Sequence, residues 1–343
     1  MARVRRSERP RPSGPVAFDL DDDLGRVAEA ARTAAAAALG HRPDLAAAPE
    51  PVFAGWGPEA YRARVATHDP VWARPLIARV GAAPVLAREA TWIDRVRRAG
   101  FPAPEVVADG RDGVLVFREP AGTSLAERMI SDMPSLPGLL ADFSRLHATL
   151  HGLPASGAPG GEAAPTGAAS VGDIATDAAG AAGDAGVDEQ IAWLGSHIPV
   201  PGDPVVCHGD LNPAHVYLDG DEAVPVNWTR AGLADPEYDV AATLTGFWTA
   251  ALYVDSAVQR RVLKILRDSL AAAYLAAYRE SAMRPLEDER LRYWRAFHLC
   301  RIAAGIVRHG RDGPDGPWDT AAHVAQPAVA LDELSREFRR VVD

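Results

Sequence analysis

Apolar positions along the chain fall into two regimes. Through the first third they come in short runs broken by glycine and proline, and from Gly122 onward they recur at helical spacing. Asp21 to Asp23 precede an alanine-rich run from Leu24 to Leu39 that stops at Gly40, the pattern of a helix with acids at its start and glycine at its end. Val52 to Ala54, Tyr61 to Ala66 and Leu76 to Val80 read as strands, with a glycine turn at Gly55-Trp56-Gly57 between the first two. Arg88 to Arg98 reads as a helix ended by Gly100 and Pro102, and Glu105 to Ala108 pairs with Val114 to Phe117 around a turn at 109–113. Leu139, Phe143, Leu146 and Leu150 mark one buried helix face. Val205 to Cys207 is a short strand, and Val216 to Leu218 with Val224 to Val226 form a hairpin across 219–221. The rest is helical: 238–253, 257–279, 287–308 and 328–341. Residues 1–18 are basic and proline-rich and read as a disordered arm, and 154–187, built from small and polar residues without an aromatic, as a flexible insertion.

Composition narrows the function classes. The 343 residues are enough for two lobes with a real core. A net charge of -10 argues against a nucleic-acid partner or an anionic membrane surface. The two cysteines, Cys207 and Cys300, exclude a disulfide scaffold and a cysteine-only zinc site. The longest uncharged apolar run, Val240 to Val254, is too short to span a bilayer, and the arginine-rich start has no apolar signal core. The expectation is a cytoplasmic protein, for which a homodimer is an admissible assembly.

The chemistry-bearing stretch is Cys207-His208-Gly209-Asp210-Leu211-Asn212-Pro213-Ala214-His215, followed by Val226-Asn227-Trp228 and then Ala234-Asp235-Pro236-Glu237-Tyr238-Asp239. A Cys-His-Asp triad from Cys207, His208 and Asp210 is the weaker reading, because neighbours on one short segment rarely converge on one point. In order and spacing the stretch resembles the aminoglycoside phosphotransferase and choline kinase-like superfamily, a branch of the protein-kinase-like fold. Its members carry His-Gly-Asp-Leu-His-Pro-x-Asn, then Ile-Asp-Trp or Ile-Asp-Phe, then Gly-Asp-Pro-x-x-Asp-Leu-Ala. Leu146-His147 in the preceding helix fits the same family, and the resemblance covers about residues 50–310.

The resemblance implies an α+β two-lobe fold: an added arm and helix at 1–49, a small β-rich nucleotide-binding lobe at 50–118, and a large helical lobe at 119–343. It implies that Asp210 orients an acceptor hydroxyl and takes its proton. Arg79 stands where a strand cation, more often lysine, holds the α- and β-phosphates, and Glu89 where a helix glutamate pairs with it. Gly55 and Gly57 fall at the phosphate-covering loop, and Arg118, Glu119 and Pro120 at the hinge beneath the base. His208, Asn212, Asp235 and Asp239 would support the loop. ATP or GTP with Mg²⁺ would be the cofactor and a small molecule, aminoglycoside-like or another metabolite, the acceptor.

Two positions depart from the family pattern. His215 stands in place of the metal-binding asparagine, and Asn227 in place of the metal-binding aspartate. Imidazole suits softer metals than Mg²⁺, and an amide lacks the carboxylate's charge. Three readings therefore stay open: a small-molecule kinase, a degenerate pseudokinase that binds a small molecule or a protein, and a kinase fold repurposed for other chemistry.

Overall fold

The computed structural model describes residues 20–52, 60–156, 172, 185–220, 222–254, 256–312, 324 and 326–343. The chain forms two lobes joined by a short linker. The first is a five-stranded antiparallel sheet of β1 (Glu50–Pro51), β2 (Ala60–Ala63), β3 (Leu76–Val80), β4 (Val106–Asp109) and β5 (Val114–Arg118), in the order β1-β2-β3-β5-β4. Helix α1 (Leu20–Leu39) covers one face, stacking Val27, Ala31 and Ala35 at four-residue intervals on Tyr61, Leu76, Ala78 and Val116. Helix α2 (Ala83–Arg98) covers the other with Leu86, Trp92, Ile93 and Val96. It begins five residues before the sequence-expected start, because Pro84 in the first turn needs no N–H partner there.

The linker enters β6 (Thr123–Ser124), which pairs with the second lobe, Thr123 opposite Leu218. Ser124 then caps α3 (Leu125–Ser131) in a reciprocal capping box with Glu127. Helix α4 (Leu136–His151) buries Leu140, Phe143 and Leu150. Helix α5 (Ala185–Ser196) takes up the last residues of the tract expected to be an insertion, most of which lies outside the described residues. A hairpin of β8 (Val216–Asp219) and β9 (Glu222–Pro225) extends the β6 pairing, and β7 (Val205–Cys207) pairs with β10 (Gly232–Ala234). Helices α6 (Pro236–Thr249), α7 (Ala257–Ser281), α8 (Asp288–Asp312) and α9 (Pro327–Val342) complete the lobe around Tyr274, Tyr293, Trp294 and Phe297. This is the α+β two-lobe arrangement expected from the resemblance. No described helix is long and apolar enough to cross a membrane.

One apolar cluster spans both lobes. Ile77, Trp92, Leu115 and Phe117 pack with Val206, Tyr217, Val226 and Trp228 from the second lobe. Trp228 is completely buried, and a large apolar side chain in that state contributes roughly 2–3 kcal/mol by area. This shared core sets the two faces of the cleft against each other.

Candidate functional site

The site is built where β7 ends. Gly209 has φ +83°, and a Cβ there would lie 2.4 Å from the Arg230 carbonyl, so glycine alone fits. The resulting turn points two backbone N–H groups at one carboxylate. His208 N–H donates to Asp239 Oδ2 at 2.6 Å and Gly209 N–H to Asp239 Oδ1 at 2.8 Å. Asp239 is fully buried in the first turn of α6, where a negative charge also suits the helix dipole. Burial pushes its carboxyl up, but His147 and His151 outweigh that and hold it well below the usual carboxylate range.

Two histidines complete this brace. His151 Nε2 approaches Asp239 Oδ2 at 3.3 Å, and its Nδ1 lies 2.6 Å from the Tyr278 hydroxyl. Burial and the neighbouring His147 lower His151 to about 4 against the pull of Asp239, so the ring is neutral, with its hydrogen on Nε2. His147 is placed beside it, with Nε2 3.2 Å from Asp239 Oδ2 and Nδ1 2.5 Å from the Tyr274 hydroxyl. His147, His151 and Asp239 thus place three ligand atoms within 4.8 Å of one another. A cation there would need the Nε2 lone pairs, yet His151 Nε2 already faces Asp239 Oδ2 as a hydrogen donor, while His147 Nε2 approaches the same oxygen without a hydrogen bond to it. The cluster reads as a hydrogen-bonded support for the loop. His208 belongs to it as well: Nε2 lies 2.9 Å from the Val226 carbonyl, and burial lowers the ring to about 4, leaving it neutral.

Asp210 follows this braced turn with its side chain 21% exposed. His215 Nδ1 lies 2.7 Å from the Asp210 carbonyl, which requires the hydrogen on Nδ1 and leaves the lone pair on Nε2. Asn212 Oδ1 accepts from Ala214 N–H at 3.0 Å and closes the turn at 213–215. Asn212 therefore shapes the loop.

Asn227 is left-handed at φ 65°, the single non-glycine with positive φ among the described residues, and asparagine tolerates that conformation better than most. Its Nδ2 faces His215 Nε2 at 3.4 Å, and its Oδ1 accepts from the Thr229 hydroxyl at 3.0 Å. Thr229 in turn accepts from Arg79 Nη1 at 2.6 Å. Arg79 forms a short, buried ion pair with Glu89. A continuous polar chain thus crosses the cleft through Arg79, Thr229, Asn227 and His215 to the Asp210 loop. Thr229 was missed at the sequence level, although it directly follows Asn227-Trp228. His151 was missed too, although it lies one helical turn beyond His147.

The donors at positions 215 and 227 do not suit Mg²⁺. A hard dication wants several oxygens and negative charge. Here one position offers an imidazole nitrogen, and the other an amide whose oxygen is taken by Thr229.

The remaining site expectations fall in three places. Asp235 accepts from Gly202 N–H at 2.7 Å and from Trp294 Nε1 at 3.3 Å, a tie between loop and helix. Arg118 turns its side chain away from the cleft, bonding Glu105 at 2.9 Å and lying 4.2 Å over the Trp72 ring. Glu119 takes both Nε and Nη2 of Arg62 at 2.8 and 2.6 Å. Gly55 and Gly57 lie outside the described residues. Cys207 is buried, and burial pushes its thiol well above the ordinary range, which keeps it protonated and a poor nucleophile.

Comparison with known proteins gives the following. The model of the phosphotransferase enzyme family matches residues 49–293. No curated protein matches the sequence. Among solved structures, an aminoglycoside-3'-phosphotransferase of type VIII is similar at 22% identity and TM-score 0.57, over 80% of this chain and 98% of that one. A choline/ethanolamine kinase family protein from Mesorhizobium loti is similar at 19% identity and TM-score 0.54, over 85% and 88%. LicA, solved in complex with AMP, is similar at 12% identity and TM-score 0.60, over 90% and 97%. At these identities the structures speak for a shared fold.

Proposed function

The chain belongs to the phosphotransferase enzyme family, and from that premise we propose that it moves the γ-phosphoryl group of ATP or GTP to a hydroxyl of a small molecule. The observation that carries this reading is Asp210. It is a partly exposed carboxylate on a turn held by two backbone N–H bonds to Asp239, opposite the buried Arg79–Glu89 pair. A catalytic carboxylate needs that combination of fixed position and open access.

In this reading the acceptor hydroxyl donates its hydrogen bond to Asp210. Its oxygen attacks the γ-phosphorus, a new P–O bond forms, and the bond to the β–γ bridging oxygen breaks. The hydroxyl proton passes to the Asp210 carboxylate, and the nucleoside diphosphate leaves. Arg79 supplies positive charge toward the phosphates, and Glu89 and Thr229 fix its direction. Asp239, His147, His151 and His208 act on the loop and touch no substrate. The linker at 118–121 carries the base. No step is assigned to a divalent metal, because the donors at 215 and 227 do not suit Mg²⁺. The acidic net charge favours a small-molecule acceptor over nucleic acid.

A second reading is favoured by the same two residues. With Asn227 and His215 bonded to their neighbours, the cleft would hold a nucleotide or another small molecule without turning it over. Radiolabelled γ-phosphoryl transfer to a panel of hydroxylated small molecules, aminoglycosides included, separates the two. Label in an acceptor supports the kinase, and nucleotide binding without transfer supports the binding module.

A further inference from the structure

The linker between the lobes has an unusual pattern of backbone donors. Along an extended segment, successive N–H groups point to opposite edges. Arg118 N–H points to the outer edge and donates to the Glu105 carbonyl at 2.9 Å. Glu119 N–H points inward and donates to the Pro75 carbonyl at 3.0 Å. Position 120 is next on the outer edge, and it is proline, which has no N–H. Ala121 N–H is spent on Asp219 Oδ2 at 2.9 Å, a carboxylate that Arg74 also holds at 2.8 Å.

The outer edge has no strand beside it past this point. Strand β4 runs from Val106 to Asp109 and pairs only as far as Phe117. The linker is also pinned on its other side. Arg62 holds the Glu119 carboxylate with two bonds, Arg74 Nη2 reaches the Glu119 carbonyl at 3.3 Å, and Gly122 packs so closely on the Leu218 carbonyl that an added Cβ would lie 2.0 Å from it. Rotation of the segment to free a different N–H would break these contacts together. The edge left for a ligand therefore presents carbonyl oxygens, from Arg118 and Pro120, and no N–H group.

We propose that Pro120 is a specificity-determining residue, and that the base subsite along 118–120 reads hydrogen-bond donors and leaves an acceptor unread. This rests on the nucleotide reading above and deepens it. An adenine at this edge can donate its N6 amino hydrogen to the Arg118 carbonyl. Its N1, a pure acceptor, faces the proline ring without a partner. A guanine presents two donors, N1–H and the N2 amino group, that suit a carbonyl edge, and one acceptor, O6, that finds no N–H there, as adenine N1 finds none. The subsite therefore lacks the N1 bond that would favour ATP over GTP.

The test is calorimetric titration of ATP, GTP and 1-deaza-ATP, in which a C–H replaces N1, into the full-length protein and into Pro120→Ala. In the unaltered protein ATP and 1-deaza-ATP should bind within about twofold of each other, because N1 makes no bond. Pro120→Ala restores an N–H, and one such bond is expected to tighten ATP by roughly three- to tenfold. It should leave 1-deaza-ATP where it was and shift the GTP-to-ATP ratio toward ATP. Fivefold or greater loss with 1-deaza-ATP in the unaltered protein would overturn the proposal alone, and that comparison requires no variant to fold. A Pro120→Ala protein of unchanged melting temperature with unchanged ATP affinity would also overturn it. No binding of any nucleotide at millimolar concentration would overturn the nucleotide reading together with it.

Discussion

Asn227 directs its amide nitrogen at the Nε2 of His215, 3.4 Å away. These are the two positions at which the family pattern places metal ligands, and here each is turned toward the other. The amide oxygen is drawn off by Thr229, which Arg79 holds from the first lobe. Between these two positions the cleft carries a hydrogen-bonded chain that ends on Arg79.

Replacing Asn227 by Asp restores a hard anionic oxygen at the same backbone position. Asn227→Asp is expected to make nucleotide binding depend on Mg²⁺, with at least a tenfold difference between excess Mg²⁺ and excess chelator. The unaltered protein is expected to show less than a threefold difference. Calorimetry in the two buffers measures both, and a variant as indifferent to Mg²⁺ as its parent would refute this account of Asn227.

The brace behind the loop makes stability depend on pH. His151 and His208 are lowered to about 4 in the folded chain, against an ordinary value near 6.5. Between those values the unfolded chain binds protons that the folded chain refuses, so acidification favours unfolding. The stabilising effect of neutral histidines is full above about pH 6.5 and is lost progressively toward pH 4, on the order of 3 kcal/mol for each ring. Asp239, held well below the carboxylate range, adds its loss only at still lower pH. Melting temperature followed from pH 7.5 to 4 should fall steeply below about 6.5, and a flat profile would mean that these rings are not neutral and buried.

Arg79 and Glu89 form a buried ion pair, and removing one partner strands the other. Glu89→Ala is expected to cost about 3–5 kcal/mol of unfolding free energy. Replacing both, as Arg79→Met with Glu89→Leu, should recover most of that loss while leaving nucleotide affinity reduced. Denaturant unfolding beside nucleotide titration distinguishes structure from binding. A double variant that binds nucleotide normally would remove Arg79 from the proposed phosphate contacts.

How much of this was legible in the sequence depends on the range of the interaction. The order of β3, α2, β4 and β5 follows from local apolar runs and their glycine turns. Asp210, Asp239, His208 and Asn227 are marked by a motif that lies in one stretch of chain. Thr229 and His151 are adjacent to marked residues, yet their roles appear only when distant elements meet. His147 and His151 find Tyr274 and Tyr278 across 127 residues, because α7 packs on α4. Strands β6 and β10 have two and three residues, too few for a periodic signal, and exist because a partner strand lies beside them. Helix α2 begins at Ala83, ahead of the expected start at Arg88, because Pro84 fits the first turn and Leu86 packs into the core.

Gly209 sets the direction of Asp210, so its loss should be felt at both stability and site. Gly209→Ala forces an unfavourable φ of +83° and drives Cβ against the Arg230 carbonyl. A destabilisation of about 2–4 kcal/mol is expected from strain and displacement together. Melting temperature measures it, and an unchanged value would mean that the loop has an alternative path.

The central claim is that Asp210 takes the proton of an acceptor hydroxyl. It is tested by γ-phosphoryl transfer from labelled ATP and GTP to a panel of hydroxylated small molecules, for the unaltered protein beside Asp210→Asn. The expected result is label in at least one acceptor. In the variant the rate should be lower by about 10²–10⁴-fold, with melting temperature and nucleotide affinity nearly unchanged. Nucleotide binding without transfer to any acceptor, with and without divalent metal, would contradict the account and leave the binding module in its place.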